Sequence, residues 1–486
     1  MHARWLLATA PGVVALAGGC VAPLGPGYTI ESQQVRVQFV AAPEPRIRIE
    51  AEYALKNTGN RPLNELELRL PGRRRFHFDE PHAAWDSAAI TTGILPENPR
   101  NMLITLPQPW TMSARHRLHL SIEYLPSTHG ETTLSFSGDA FFLPAAGWSP
   151  ELLPVRGLFS TGGVPPKKWD LSVSVPEGFL VHTSGRQAKS SRRNGETIVL
   201  ASQGTSDRYP FVIAGRYASA EIGRGKEKII LWTRNAQEAA GLRGASDALA
   251  RTMEAYDSAF GARSKDTSTI WIVECPVTDG CFTNLNATTA GLLGEEKKSV
   301  SAEMVSPDTM MVDLSGGLPK LAVAAAPSLA ASWLGYAQSP GFYEQGPPLS
   351  ALPAFAASIG REAAEGTDSR AETIRRALQL VPKEDADHRQ EEPTVVRAKS
   401  FLFFYALQDC YGKDVFRKAI IHMLQARKAR GLELSDLIAA FDQETKQNTA
   451  EFVRMWMKRP GVPEEFRDRY QKAAAATAQS EKETAP

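Results

Sequence analysis

Two periodicities divide this chain. From about residue 28 to residue 220, apolar and polar positions alternate with period two. In VRVQFV the alternation puts Val35, Val37 and Phe39 on one face, and in RIRIEAEYAL it does the same for Ile47, Ile49, Ala51, Tyr53 and Leu55. Asn57-Thr58-Gly59-Asn60 interrupts with turn chemistry before Leu66, Leu68 and Leu70 resume the pattern. RLHLSIEYL, WDLSVSVP and YPFVIAGRY continue in the same style. Alternation of this kind predicts half-buried antiparallel strands, each with one face on a core.

The period changes at Asn235. Asn235 is suited to cap a helix, Glu238 three residues later completes a capping-box pattern, and Gly261 is placed to end it. STIWIVECP and MMVDL read as short buried strands, and from Pro319 onward the pattern is almost wholly helical. The predicted class is multidomain α+β. An antiparallel β domain spans 28–220, a mainly helical domain spans 221–465, and a low-complexity tail covers 466–486. At 486 residues the chain exceeds what one hydrophobic core serves, which agrees with two units. No repeat at a fixed period is present.

Composition narrows the function classes. Hydrophobic residues at 43% and charged residues at 22% describe an ordinary globular protein. A net charge of +1 supplies no electrostatic footprint for nucleic acid, and GRRRF and KSSRRNG read as solvated loops. The opening MHARWLLATAPGVVALAGGC has a basic Arg4, then an apolar run from Trp5 to Leu16 that is too short to span a bilayer. It fits a secretory signal over residues 1–19. The small residues before Cys20 resemble the bacterial lipobox, although Ala17 stands where that pattern has Leu and Leu16 lies one position further out. The resemblance implies a lipid on Cys20, a tether over 20–27, and a place in the bacterial envelope, on the periplasmic side or the outer membrane. Plain signal cleavage and a retained anchor are the alternatives. Cys275 and Cys281 bracket ECPVTDGC, a turn-rich loop that allows a disulfide outside the cytoplasm, the alternative being two reduced thiols.

The order of parts, with NTGNRPLNELELRL and FFLPAAGWSPEL in the first half, resembles the aminopeptidase N family of zinc metallopeptidases. AKSFLFFYALQDCYGKDVFRKAI and LSDLIAAFDQETKQNTAEFVRMWMKRPGVP are similar to the end of that family's catalytic domain. The resemblance covers about residues 28 to 465 and implies a saddle-like β domain followed by a thermolysin-like domain. It also implies a catalytic helix reading His-Glu-x-x-His, followed by a Trp and a Gly. There the two histidines bind zinc, the glutamate between them is the base for a zinc-bound water, and a further glutamate completes the ligands.

Aligned on Trp333 and Gly335, the stretch APSLAASWLGYAQSPGF puts Pro327 and Ala331 at the histidine positions and Ser328 at the base. Ser350 falls where the zinc-binding glutamate belongs, Arg397 where a transition-state tyrosine belongs, and Thr288 where the loop gripping the substrate amine has its glutamate. Of the nine histidines, none lies between His182 and His388, so no shift of register restores the pair. The expectation is a degenerate member without catalytic or metal-binding residues and without the family's zinc. Pro327 should make its helix restart there or kink.

Other chemistry is sparse. His116 and His119 stand three apart in a predicted strand and face opposite sides, and no Gly-x-Ser-x-Gly elbow accompanies Ser328. Glu344 sits in a Gly-flanked loop, and Arg397 either faces the old cleft, points to solvent, or pairs with Glu391 or Glu392. The leading reading is a catalytically silent envelope protein that binds a peptide or protein, or serves as a scaffold. The alternative is a peptidase or other hydrolase acting through an unrecognised site on the same fold.

Overall fold

The computed structural model describes residues 27–470 except 42, 71–76, 79–80, 96–97, 126–134, 145–147, 156–162, 204–209, 225–226, 264–268, 277–301, 307, 315–316, 318–320, 335–345, 383–391 and 427–431. Its first unit is built on a nine-stranded sheet. In spatial order the main strands are Arg186–Arg193, Glu196–Gln203, Trp169–Pro176, Tyr28–Val40, Arg46–Asn57 and Arg115–Leu125, with short strands beyond. Two four-stranded sheets share its hydrophobic core.

The predicted alternation is realised side chain by side chain. Ile47, Ile49, Ala51, Tyr53 and Leu55 are all fully buried, as are Val35, Val37, Phe39, Leu66, Leu68 and Leu70. Their outward neighbours pair across strands, for example Arg48 and Arg46 with Glu123 and Arg117 with Glu52, each at 3.0 Å. Three core tyrosines also pin one segment to the sheet. Tyr28, Tyr53 and Tyr124 donate to the carbonyls of Leu153, Pro150 and Trp148, and the indole of Trp148 donates onward to Pro210 at 2.8 Å. Burying a phenol is stable only when its hydroxyl finds such an acceptor.

The second unit opens with a five-stranded sheet in the order Ala218–Arg224, Glu227–Thr233, Thr269–Glu274, Thr309–Val312 and Ala302–Ser306. The strand beginning at Ala218 belongs whole to this sheet, so the change of unit falls just after Gly215, the end of the preceding strand. Helix Ala236–Phe260 follows, capped by Asn235, whose side chain accepts from the Gln237 N–H, and closed by Gly261 at φ 82°. The glycine is needed there because an L side chain is strained in that conformation. Among the described residues the further helices are Leu321–Leu334, Leu352–Glu365, Thr367–Leu380, Pro393–Tyr411, Lys413–Ala426, Leu434–Thr445 and Thr449–Lys458. Residues 464–470 are helical as well, with Phe466 buried in the core, so ordered structure runs past the tail boundary expected at 466. Among the described residues no helix is long and apolar enough to cross a membrane.

Cys275 stands in a disulfide whose partner lies outside the described residues, while Cys410 is free and exposed.

An aromatic cluster joins the two units. Phe142, Phe211 and Ile213 of the first pack against Trp232, Val273 and Met311 of the second. His182 sits in this seam, stacked 4.1 Å from Trp271, with Nε2 2.8 Å from the Thr309 hydroxyl. That hydroxyl donates to Asp308 at 3.0 Å, which leaves its oxygen to accept from Nε2–H of His182. Burial pushes the imidazole down from 6.5 to about 4, against the opposing pull of the Asp308 carboxylate.

The unfolded chain therefore binds this proton more readily than the folded one. His182's contribution is fully present above pH 6.5 and is lost as the pH falls toward 4, by about 3 kcal/mol in total. Denaturant midpoints between pH 7 and pH 4 should fall less steeply in His182→Phe than in the wild type. Parallel curves would show that His182 does not carry the effect.

Candidate functional site

The helix Leu321–Leu334 is the centre of the second unit. It lies against helices Ala236–Phe260 and Leu352–Glu365 and against the strands Ala302–Ser306 and Thr309–Val312. Ten of its fourteen residues are buried. Val323, Pro327 and Ala331 are half-buried and, at spacing four, share one face. The two positions aligned with the family's histidines are thus on the same accessible face, while Ser328 is buried at 4% exposure.

Of the two outcomes expected at Pro327, a restart or a kink, the restart does not occur. The helix begins at Leu321 and carries Pro327 as an interior residue. An interior proline removes an N–H and crowds the carbonyl four residues back, here that of half-buried Val323, at a cost of roughly 3 kcal/mol. Packing on both flanks compensates. The hydroxyl of fully buried Tyr256 donates to the Ala326 carbonyl at 2.7 Å, and the Trp333 indole donates to Asp257 at 2.9 Å. Arg263 lies 5.7 Å over the Trp333 ring, with Nη1 3.4 Å from the Ser332 hydroxyl.

Ser350 is half-buried in the 3-10 turn Leu349–Ala351 that leads into Leu352–Glu365. The structure therefore brings the segment of Pro327, Ser328 and Ala331 beside the helix that Ser350 precedes. Arg397 is exposed on the second turn of Pro393–Tyr411. Thr288, Glu344, Cys20 and Cys281 lie outside the described residues. His116 stacks on Trp85 at 4.9 Å and pairs with Asp86, whereas His119 is exposed on the other face of the same strand.

Whether the accessible face can hold zinc depends on its donor set. Valine, proline and alanine side chains hold no lone pair for a metal, and a neutral serine hydroxyl is a poor ligand for Zn²⁺. The residues present there do not fit the ion. Two nearby hydroxyls are also unsuited to act as bases. Burial pushes Tyr256 and Tyr405 well above the ordinary phenol range, and Tyr405 is further committed to Ser358 at 2.6 Å.

Lys399, two residues after Arg397, proves structural. It is 5% exposed, and its ammonium donates to the carbonyls of Met457 and Arg459 at the end of the Thr449–Lys458 helix. Burial, with the charge of Arg459, lowers it from 10.5 to about 8. Sequence reasoning missed Tyr256 and Gly360, which set how closely the helices approach. The one available signal was a glycine inside a helical run, which is costly unless packing requires it.

No sequence-family profile matches the chain, and no curated protein matches it. Solved structures do. A two-domain M1 zinc metallopeptidase mutant bound to L-arginine superposes with a TM-score of 0.54 at 14% identity, covering 90% of this chain and 95% of that one. The M1 zinc metallopeptidase of Deinococcus radiodurans gives 0.52 at 14% identity, over 90% and 95%. A mutant of it gives 0.52 at 15%, over 90% and 96%. The fold is that of the two-domain M1 zinc metallopeptidases. The β unit followed by a helical unit is therefore the M1 arrangement, and the helix carrying Pro327 belongs to its second unit. Identity this low establishes the M1 fold and leaves activity to the site itself.

Proposed function

We propose that this protein is a catalytically silent relative of the M1 aminopeptidases, without their zinc, that holds a peptide or protein segment in the old cleft. The observation that carries the reading is the accessible face of the Leu321–Leu334 helix, made by Val323, Pro327 and Ala331. Peptide hydrolysis by zinc needs three protein ligands, an open position for water and a base beside that water. None of Pro327, Ser328, Ala331 and Ser350 supplies a ligand or base of the required kind.

Binding is supported by the strand next to that helix. Among the described residues Ala302–Ser306 ends its sheet and is paired on one side only. An extended peptide can add to such an edge through main-chain hydrogen bonds while an apolar wall receives its side chains. One structural neighbour is described as bound to a Tyr-Ser-Ala substrate, which is a property of that protein.

Cys20 is proposed as the lipid-bearing residue of an envelope protein, and Cys281 as the partner of Cys275. A palmitate analogue should label the wild type and spare Cys20→Ser, and equal labelling would end the first assignment. A non-reduced digest should show the linked peptide, and a free Cys281 thiol would end the second.

Purified protein should contain far less than one zinc per chain by plasma mass spectrometry and release no amino acid from aminoacyl fluorogenic substrates. Fluorescence anisotropy with a library of short peptides should show saturable binding that weakens in Ala331→Arg. Stoichiometric zinc, or turnover abolished by substitutions on this face, would instead establish an active hydrolase. Absence of peptide binding would leave the scaffold role.

A further inference from the structure

The chain enters its first sheet at one end of the β unit, and several turns gather around the entry point. The carbonyl of Gly27 accepts from the N–H groups of Thr58 and Gly59 at 3.2 and 2.7 Å. Asn57, paired with Tyr28, exchanges backbone bonds with the next turn, donating to Ala114 at 3.2 Å and accepting from Ser113 at 3.0 Å. On the other side, the Lys167 N–H reaches the Ile30 carbonyl at 2.9 Å.

The side chains on these segments are unbalanced in charge. Residues 28–31, 56–62, 111–115 and 165–170 carry Lys56, Arg61, Arg115, Lys167 and Lys168 against only Glu31 and Asp170. Glu31 is held below the usual carboxylate range by its hydrogen bonds from Arg115, with Lys167 and Lys56 adding to the effect. Three cations therefore converge on one carboxylate. Lys168 pairs with Asp170 at 3.0 Å. At the tip of the turn before Arg115, Met112 is 55% exposed, one of few large apolar side chains left in solvent among the described residues.

The length of chain ahead of this end supplies the second argument. Cys20 stands seven residues before Gly27, a span of at most roughly 25 Å even fully extended. A lipid on Cys20 would hold this end of the unit close to the bilayer. Surface charges are screened beyond about 8 Å at physiological salt, so a short tether is what lets a basic surface engage headgroups at all.

We propose that this end of the β unit is a membrane-facing surface, its basic side chains lying on anionic phospholipid headgroups with Met112 entering the interface. The proposal rests on the reading of Cys20 as a lipid anchor. Each uncompensated basic side chain near an anionic leaflet contributes about fivefold in surface affinity, so the excess of cations over Glu31 and Asp170 orients a tethered domain.

The test uses the full chain, extracted from the membranes of a bacterial host and reconstituted into phosphatidylglycerol–phosphatidylethanolamine vesicles. In a Cys410→Ser background, an environment-sensitive probe is placed through Met112→Cys or, as a control on the second unit, Met455→Cys. Vesicles carrying a headgroup quencher should quench the probe at 112 several-fold more than the probe at 455. The contrast should vanish when Lys56, Arg61, Lys167 and Lys168 are all changed to Glu, and in phosphatidylcholine vesicles. Equal quenching at the two positions in protein that remains vesicle-bound overturns the proposal and leaves the anchor standing. Protein that stays out of the vesicle fraction overturns both.

Discussion

Gly360→Ala should destabilise the second unit by about 3 to 5 kcal/mol and lower the thermal midpoint by several degrees. A Cβ built on Gly360 would lie 2.1 Å from the Tyr256 hydroxyl oxygen, 2.6 Å from Cζ and 3.0 Å from the Ala326 Cβ. Real carbon atoms do not approach so closely, and the obstacle is no flexible tip. Tyr256 is fully buried, packed 5.4 Å from Trp333, with its hydroxyl spent on the Ala326 carbonyl. Making room means either parting helices Ala236–Phe260 and Leu352–Glu365 or expelling the ring. Both break a buried hydrogen bond, which adds to the overpacking cost. Tyr256→Phe removes the clashing oxygen, so the double variant should be more stable than the sum of the two single losses predicts. Circular dichroism melts of the four proteins form the cycle. An unchanged midpoint in Gly360→Ala would mean the three helices are less tightly docked than described.

The second large effect is chemical. The combined changes Pro327→His, Ser328→Glu, Ala331→His and Ser350→Glu should take zinc content from near nothing toward one per chain, with peptidase turnover still near background. The histidines would occupy the accessible face one helical turn apart, which is the spacing a zinc pair needs. Pro327→His alone should also relieve roughly 1 to 3 kcal/mol of helix strain, because it restores an N–H inside Leu321–Leu334. Turnover needs more than the metal. Arg397 is exposed on its helix where the sequence comparison expects a tyrosine, and the described tyrosines nearby are committed to Ala326 and Ser358. Metal analysis after dialysis against a weak chelator, with an aminopeptidase assay, separates the two outcomes. Robust turnover from these four changes would show that the cleft retains the remaining catalytic groups. No zinc would show that Ser350, placed in a 3-10 turn, is out of reach of the helix face.

What could be read from the sequence was local and periodic. Ile47 through Leu55 alternate because a pleated strand turns successive side chains to opposite faces, and every one of the predicted inward residues is buried. Asn235 and Gly261 bound their helix because cap chemistry depends only on neighbouring backbone groups. The identities at 327, 328, 331 and 350 were equally legible, since a side chain without a lone pair is no better a ligand once folded.

The tertiary structure decided whatever depends on groups distant in sequence. Pro327 allows a restart or a kink, and the helix does not restart there, because contacts from Tyr256 and Asp257 on another helix outweigh a local penalty. His182 reads as one residue of a strand, and only the docking of Trp271 and Thr309 from the second unit makes it a buried neutral base. Gly360 reads as a weak point in a helix until Tyr256, 104 positions earlier, is laid across it. Periodicity reports which face of an element is apolar. Which partner covers that face, and at what distance, is set by packing among elements that the chain brings together only on folding.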